Sequence, residues 1–110
     1  MFHINVEYNK KIVFVRLDGK LTNKNSYKIN NYLNPLLQKY HQKYVIYDFK
    51  KLKDIDTSGI ETIRKSKVII KKNKGVIILC HVNNKIKNKI NDLKIKIINK
   101  EYIAKKLCGA

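Results

Sequence analysis

The chain has 110 residues, 44% of them hydrophobic and 9% aromatic, enough for one domain with its own core, so disorder is not the default expectation. No apolar run approaches the roughly 20 residues of a membrane span, and Met1-Phe2-His3-Ile4-Asn5 lacks the charged and apolar blocks of a secretory signal, so a cytoplasmic protein is expected. The formal net charge of +17 invites a polyanion partner, but Arg16 and Arg64 are the only arginines and the basic residues are spread from Lys10 to Lys106. Lys, Asn, Ile and Tyr, all abundant here, share codons rich in A and T. Charge by itself therefore predicts only weak, salt-sensitive attraction to nucleic acid.

Ile4, Val6 and Tyr8 alternate with polar residues as in a half-buried strand, and Asn9-Lys10-Lys11 reads as a tight turn. Ile12 to Leu17 is a nearly continuous apolar run, expected to be buried on both faces, and Asp18-Gly19 ends it. Thr22 and Asn23 are placed to cap a helix from about Lys24 to Tyr40, in which Ile29, Leu33, Leu36, Leu37 and Tyr40 share one face. Pro35 predicts a kink near Asn34.

Tyr44 to Phe49 is the next strand, followed by a loop over Asp54–Gly59 and a helix from about Ser58 to Asn73 with Ile60, Ile63 and Ile70 on one face. Gly75 is its exit, and Val76 to Cys80 is another buried strand. Asn83 or Asn84 can cap a short helix with Ile86, Ile90 and Leu93 inward. Ile95–Ile98 is a last strand, and Asn99 can cap a terminal helix, Lys100 to Leu107, with Ile103 and Leu107 inward. The order β-β-α-β-α-β-α-β-α predicts a single α/β domain over residues 1–110: an N-terminal hairpin, then a mainly parallel sheet with helices packed against it.

No constellation for catalysis stands out. Gly19, Gly59, Gly75 and Gly109 are isolated, so no phosphate-cradling loop is present, and His3, His41 and His81 lack a matching nucleophile and carboxylate. Cys80 and Cys108 have neither CxxC nor zinc-site spacing and read as reduced structural thiols. No catalytic residue, metal or cofactor is expected. Functional groups of open α/β sheets gather at the carboxyl ends of the parallel strands. There lie the Asp54–Gly59 loop, Asn83-Asn84 and, if the second strand is parallel to the others, the Gly19–Asn23 loop with Thr22 and Asn23. Such a rim is either a partner surface or a set of ordinary capping loops.

Leu52-Lys53-Asp54-Ile55-Asp56-Thr57-Ser58-Gly59-Ile60, between a strand and a helix, resembles the STAS domain signature, especially that of the anti-sigma factor antagonists. That family shows an apolar residue followed by Asp-Ser-Ser-Gly-Leu opening a helix; here these are Ile55 and then Asp56, Thr57, Ser58, Gly59 and Ile60. Arg16-Leu17-Asp18-Gly19-Lys20-Leu21 resembles the family's strand ending in Gly-x-Leu. The resemblance implies phosphorylation at Ser58, with Asp56, Thr57, Gly59 and Ile60 shaping the switch; Thr22, Asn23, Asn83 and Asn84 join the expected partner surface by their place at the strand ends. It also implies an anti-sigma factor with serine kinase activity as partner, and a phosphatase that reverses the mark. Thr22 stands where the family often has an acidic residue, and Glu61, Arg64 and Lys65 stand where it often has small or apolar ones. The alternatives are an unphosphorylated STAS subunit of a stress-signalling or transporter-associated complex, and a basic nucleic-acid-binding protein.

Overall fold

The computed structural model describes residues 1–109. Five strands, β1 (His3–Asn9), β2 (Ile12–Leu21), β3 (Tyr44–Ile55), β4 (Val76–Cys80) and β5 (Lys96–Ile97), stand side by side in chain order. β1 runs antiparallel to β2, and every later neighbour is parallel. Between them come a π-helical turn (Ile29–Leu33) leading into α1 (Asn34–Lys39), then α2 (Thr57–Lys72), then α3 (Asn84–Lys89) with a short 3₁₀ turn (Asn91–Leu93), and finally α4 (Glu101–Leu107). The element order is the one read from the sequence.

The apolar runs of β2, β3 and β4 are buried on both faces because helices cover both. Val13, Val15, Leu17, Val45, Tyr47, Ile77 and Leu79 meet Ile29, Leu33 and Leu37, then Ile63 and Ile70 of α2, then Ile86, Ile90 and Leu93. On the opposite face Ile12, Phe14, Ile46, Ile78 and Cys80 lie under Ala104 and Cys108. That corrects the expected inward pair of α4, since Ile103 and Leu107 are exposed. The small side chains one step around the helix let its backbone settle onto Phe14 and Cys80. Asn99 does not cap α4; its Oδ1 accepts from the Val82 N–H at 3.3 Å.

The helix expected over Lys24–Tyr40 is interrupted by the π-helical turn, in which the Asn34 N–H donates to the Ile29 carbonyl. Pro35 thereby enters at the start of α1, where its missing N–H and fixed φ are tolerated. A π turn absorbs one extra residue and rotates everything after it by about 100°. Leu37 and Asn34 therefore turn inward, while Leu36 and Tyr40, expected in the core, are exposed. Asn34 is satisfied there, donating from Nδ2 to the Thr62 carbonyl at 3.1 Å and accepting from Ser66 Oγ at 2.6 Å. The Tyr47 hydroxyl joins the same buried network 2.7 Å from Ser66 Oγ, and its burial pushes its pKa up.

Two strands run further than their local pattern indicates. β2 continues through Gly19, at φ +105, to Leu21. β3 continues past Phe49 to Ile55, and its pairing with β2 shifts twice: Arg16 faces Asp48 but Asp18 faces Lys51, and Gly19 faces Leu52 but Lys20 faces Asp54. Each shift is an extra residue on β3, a bulge. The bulges keep Phe49, Leu52 and Ile55 in the core at a spacing of three, a period that fits neither a flat strand nor a helix. β1 departs in the other direction. Its alternation is real, but Val6 and Tyr8 are exposed because the helices do not reach over this edge of the sheet.

Candidate functional site

Asp56 is the single residue between β3 and α2, so the expected loop over Asp54–Gly59 is corrected to a strand end, one extended residue and a first helical turn. Its side chain explains the sharpness of the junction. Oδ1 accepts from the Gly59 N–H at 2.9 Å, the bond of an N-cap, and Oδ2 accepts from the Asn23 N–H at 2.9 Å. Its own N–H donates to the Leu21 carbonyl at 3.1 Å. One carboxylate thus ties the end of β2, the segment after it and the start of α2 to the end of β3. Thr57 and Ser58 follow as the first two residues of α2, Thr57 exposed and Ser58 half-buried, and their N–H groups have no helical carbonyl to bond. A phosphate at such a position meets open N–H donors and the positive end of the helix dipole.

Gly59 is buried at the third position of α2. A Cβ there would stand 2.7 Å from the Leu21 carbonyl oxygen and 2.8 Å from Ile55 Cγ1, so the helix sits this close to the strand ends only with glycine. Ile60 is half-buried beside it, against the core.

Because β2 is parallel to β3, Thr22 and Asn23 do reach the same rim. They do not cap a helix there. Thr22 Oγ1 accepts from the Lys24 N–H at 3.3 Å, and Asn25 organises the turn by accepting from the Thr22 N–H and donating to the Lys20 carbonyl. Asn83 is the N-cap of α3, accepting from the Ile86 N–H at 2.9 Å, as expected. Neither Asn83 nor Asn84 lines the concavity of about 370 Å³ beside Thr57, whose walls are Lys20, Thr22, Asp54, Ile55, Asp56, Thr57, Ile60 and Lys89. Lys89 takes the place foreseen for the asparagines.

Lys89 Nζ lies 2.6 Å from Asp54 Oδ1 and Lys85 Nζ lies 3.4 Å from Oδ2, joining α3 to the end of β3. The hydrogen bond from Lys89, then that of the Ile55 N–H, lowers the Asp54 carboxyl from the ordinary 3.8 to about 2. A depressed carboxyl stabilises the fold fully above its unfolded pKa, and that contribution is lost as pH falls through the folded value. Side-chain NMR titration is expected to place Asp54 well below an ordinary aspartate, and Lys89→Met should move it back up toward 3.8. An unshifted Asp54 in the native chain would remove this link. The signal available in the sequence was the spacing of Lys85 and Lys89 on one helix face; only the fold brings that face to Asp54.

Other reactive groups lie elsewhere. Cys80 and Cys108 are free and buried, and burial pushes the Cys80 thiol up to about 12. His81 Nδ1 lies 3.0 Å from Asp48 Oδ1, a pair the sequence reading missed, and His41 sits in a turn at φ +49. Among the described residues, no group of three or more His, Cys, Asp or Glu side chains is placed to hold a metal ion, and no helix is long and apolar enough to cross a membrane.

The family model of the STAS domain matches residues 3–105. No curated protein sequence matches the chain. Among solved structures, the unphosphorylated form of the anti-sigma factor antagonist SpoIIAA superposes with a TM-score of 0.83 at 17% identity, covering 98% of this chain and 100% of that one. The phosphorylated form of the Bacillus cell fate determinant SpoIIAA gives 0.77 at 15% identity, with 96% and 99% covered. A candidate anti-sigma factor antagonist from Thermotoga maritima gives 0.86 at 14% identity, with 97% and 95% covered. At these identities the likeness is one of fold. Taken with the family match along nearly the whole length, it makes this chain a member of the STAS domain family.

Proposed function

We propose that this chain is an anti-sigma factor antagonist whose partner is an anti-sigma factor with serine kinase activity. In this reading the unphosphorylated rim around Ser58 binds that partner, phosphate on Ser58 ends the complex, and a phosphatase restores it. The observation that carries the reading is the placement of Ser58 as second residue of α2, in a turn clamped by Asp56 at the carboxyl ends of two parallel strands. Phosphate adds roughly −1.5 to −2 charges and three acceptors. At a helix start it is tolerated by the fold, while in a packed interface it brings a desolvation cost that dissociates the partner. Asp56 positions the turn and does no chemistry, because the kinase supplies its own. The protein acts in the cytoplasm, where sigma factors work.

The two arginines support discounting a nucleic-acid role. Arg16 is paired with Glu7 and Glu101, and Arg64 with Glu61 and Asp92, so neither guanidinium fork is free for a phosphate or base edge.

Two measurements test the proposal. Mass spectrometry of the chain from its own cells should place phosphate on Ser58; full coverage of that peptide with no phosphate in any growth state, or phosphate on Thr57 alone, would count against it. In capture experiments with an ATP-binding anti-sigma factor from the same cell, Ser58→Ala should bind and Ser58→Asp should not. Equal capture by both would exclude a charge switch.

A further inference from the structure

β1 is an open edge. Its one strand neighbour is β2, so the backbone groups on its far side have no strand partner among the described residues. Proteins usually guard such an edge with lysine, proline or a bulge. This one is only lightly guarded: in a chain with 25 Lys and Arg residues, His3–Asn9 contains none, its one carboxylate, Glu7, is held by Arg16, and it pairs with β2 over all seven positions without a register shift.

The side chains on one face of this edge continue into a groove. Ile4 and Val6 form one wall, Tyr27, Tyr32, Leu33 and Leu36 the other, around a concavity of about 490 Å³. Val6, Tyr27, Tyr32 and Leu36 are 50%, 46%, 65% and 50% exposed. Single exposed apolar side chains are ordinary, but four gathered along a lightly guarded edge mark a binding surface. The π-helical turn contributes directly, since its extra residue is what turns Leu36 out of the core and toward β1.

Charge decides the kind of occupant. Lys28 is the one charged residue lining the groove; on the other face of β1, where the alternate side chains of an added strand point, Glu7 is already engaged by Arg16 at 3.0 Å and Lys105 lies over Phe14, the residue paired with Glu7. A second copy of the chain would bring another +17 and set Lys28 against Lys28. We infer that the β1 edge and its groove take up an extended acidic segment of another protein, added as a strand beside β1 with alternate apolar side chains seated against Val6, Tyr27, Tyr32 and Leu36. This inference stands independently of Ser58, which lies at the carboxyl ends of the parallel strands.

The test uses the whole isotope-labelled chain and a synthetic peptide of about nine residues, the length of a long strand, alternating Glu with Val and Tyr. A second peptide carries Lys in place of every Glu. The acidic peptide should shift the amides of His3–Asn9, slow their hydrogen exchange and bind less as salt rises. The double variant Tyr32→Ser, Leu36→Ser should weaken binding about tenfold, because aromatic and apolar anchors dominate such sites, while its urea midpoint stays unchanged. Four results would overturn the inference: no perturbation of β1, equal binding of the lysine peptide, perturbation without slowed β1 exchange (a helical mode), or concentration-dependent dimerisation through this face without peptide.

Discussion

Gly59→Ala is expected to destabilise the fold by about 1–2 kcal/mol, even though alanine is the better helix former. Intrinsic propensity favours the change by about 1 kcal/mol. Against it stands a Cβ placed 2.7 Å from the Leu21 carbonyl oxygen, 2.8 Å from Ile55 Cγ1 and 2.9 Å from Leu21 Cγ. The nearest of these is backbone in a paired strand, which cannot rotate away as a side-chain end can. Overpacking against such atoms costs about 1–3 kcal/mol and sometimes more, so the steric term wins. The helix start must move outward, which also displaces Thr57 and Ser58 and strains the bond from the Gly59 N–H to Asp56. Urea unfolding measures the loss directly. A stability equal to or above that of the native chain would mean that α2 does not sit this close to β2.

Asp56→Ala should cost more than an ordinary cap, about 2–4 kcal/mol. Loss of an N-cap side chain costs about 1 kcal/mol. The second oxygen receives the Asn23 N–H, and a hydrogen bond to a charged group contributes about 1.5–3 kcal/mol. Asp56→Asn separates the two parts: its amide oxygen can still cap Gly59, but its NH₂ would face the Asn23 N–H, donor against donor. The expected order of unfolding midpoints is native, then Asn, then Ala, with the amide shifts of Asn23 and Gly59 reporting which bond has gone. If Asn behaved as the native residue, the tie to Asn23 would be energetically idle. In either variant Ser58 remains in place as a residue, so altered partner capture would measure how far the switch depends on its clamp.

Much of this molecule was legible in the chain because the signals are local. Asn83 and Asp56 cap helices three residues ahead of them, and the apolar runs of β2 and β4 read as buried strands without knowledge of their neighbours. Ser58 is singled out on another basis, the resemblance of Ile55–Ile60 to the STAS signature, since its local chemistry suits an ordinary helix start equally well. The misreadings share a different cause. The strand looked finished at Phe49, with Leu52 and Ile55 beyond it, because β3 bulges twice against β2, and a bulge is a property of the pair. Leu36 and Tyr40 looked buried because one π turn, placed where Pro35 and the buried Asn34 are both accommodated, shifts the phase of every later residue. Lys89 reaches Asp54, and Asn23 reaches Asp56, only through the parallel stacking of distant elements.

The sequence by itself determined the order of elements, the burial of the apolar runs of β2 and β4 and the cap of α3 at Asn83, since propensity, period and capping act within a few neighbouring positions. The tertiary structure alone decided how far β3 extends, which side chains clasp the turn before Ser58, and that β1 would be left with an uncovered apolar face. Those outcomes follow from strand register and helix coverage, set by contacts between segments far apart in the chain, for which no local pattern carries the information.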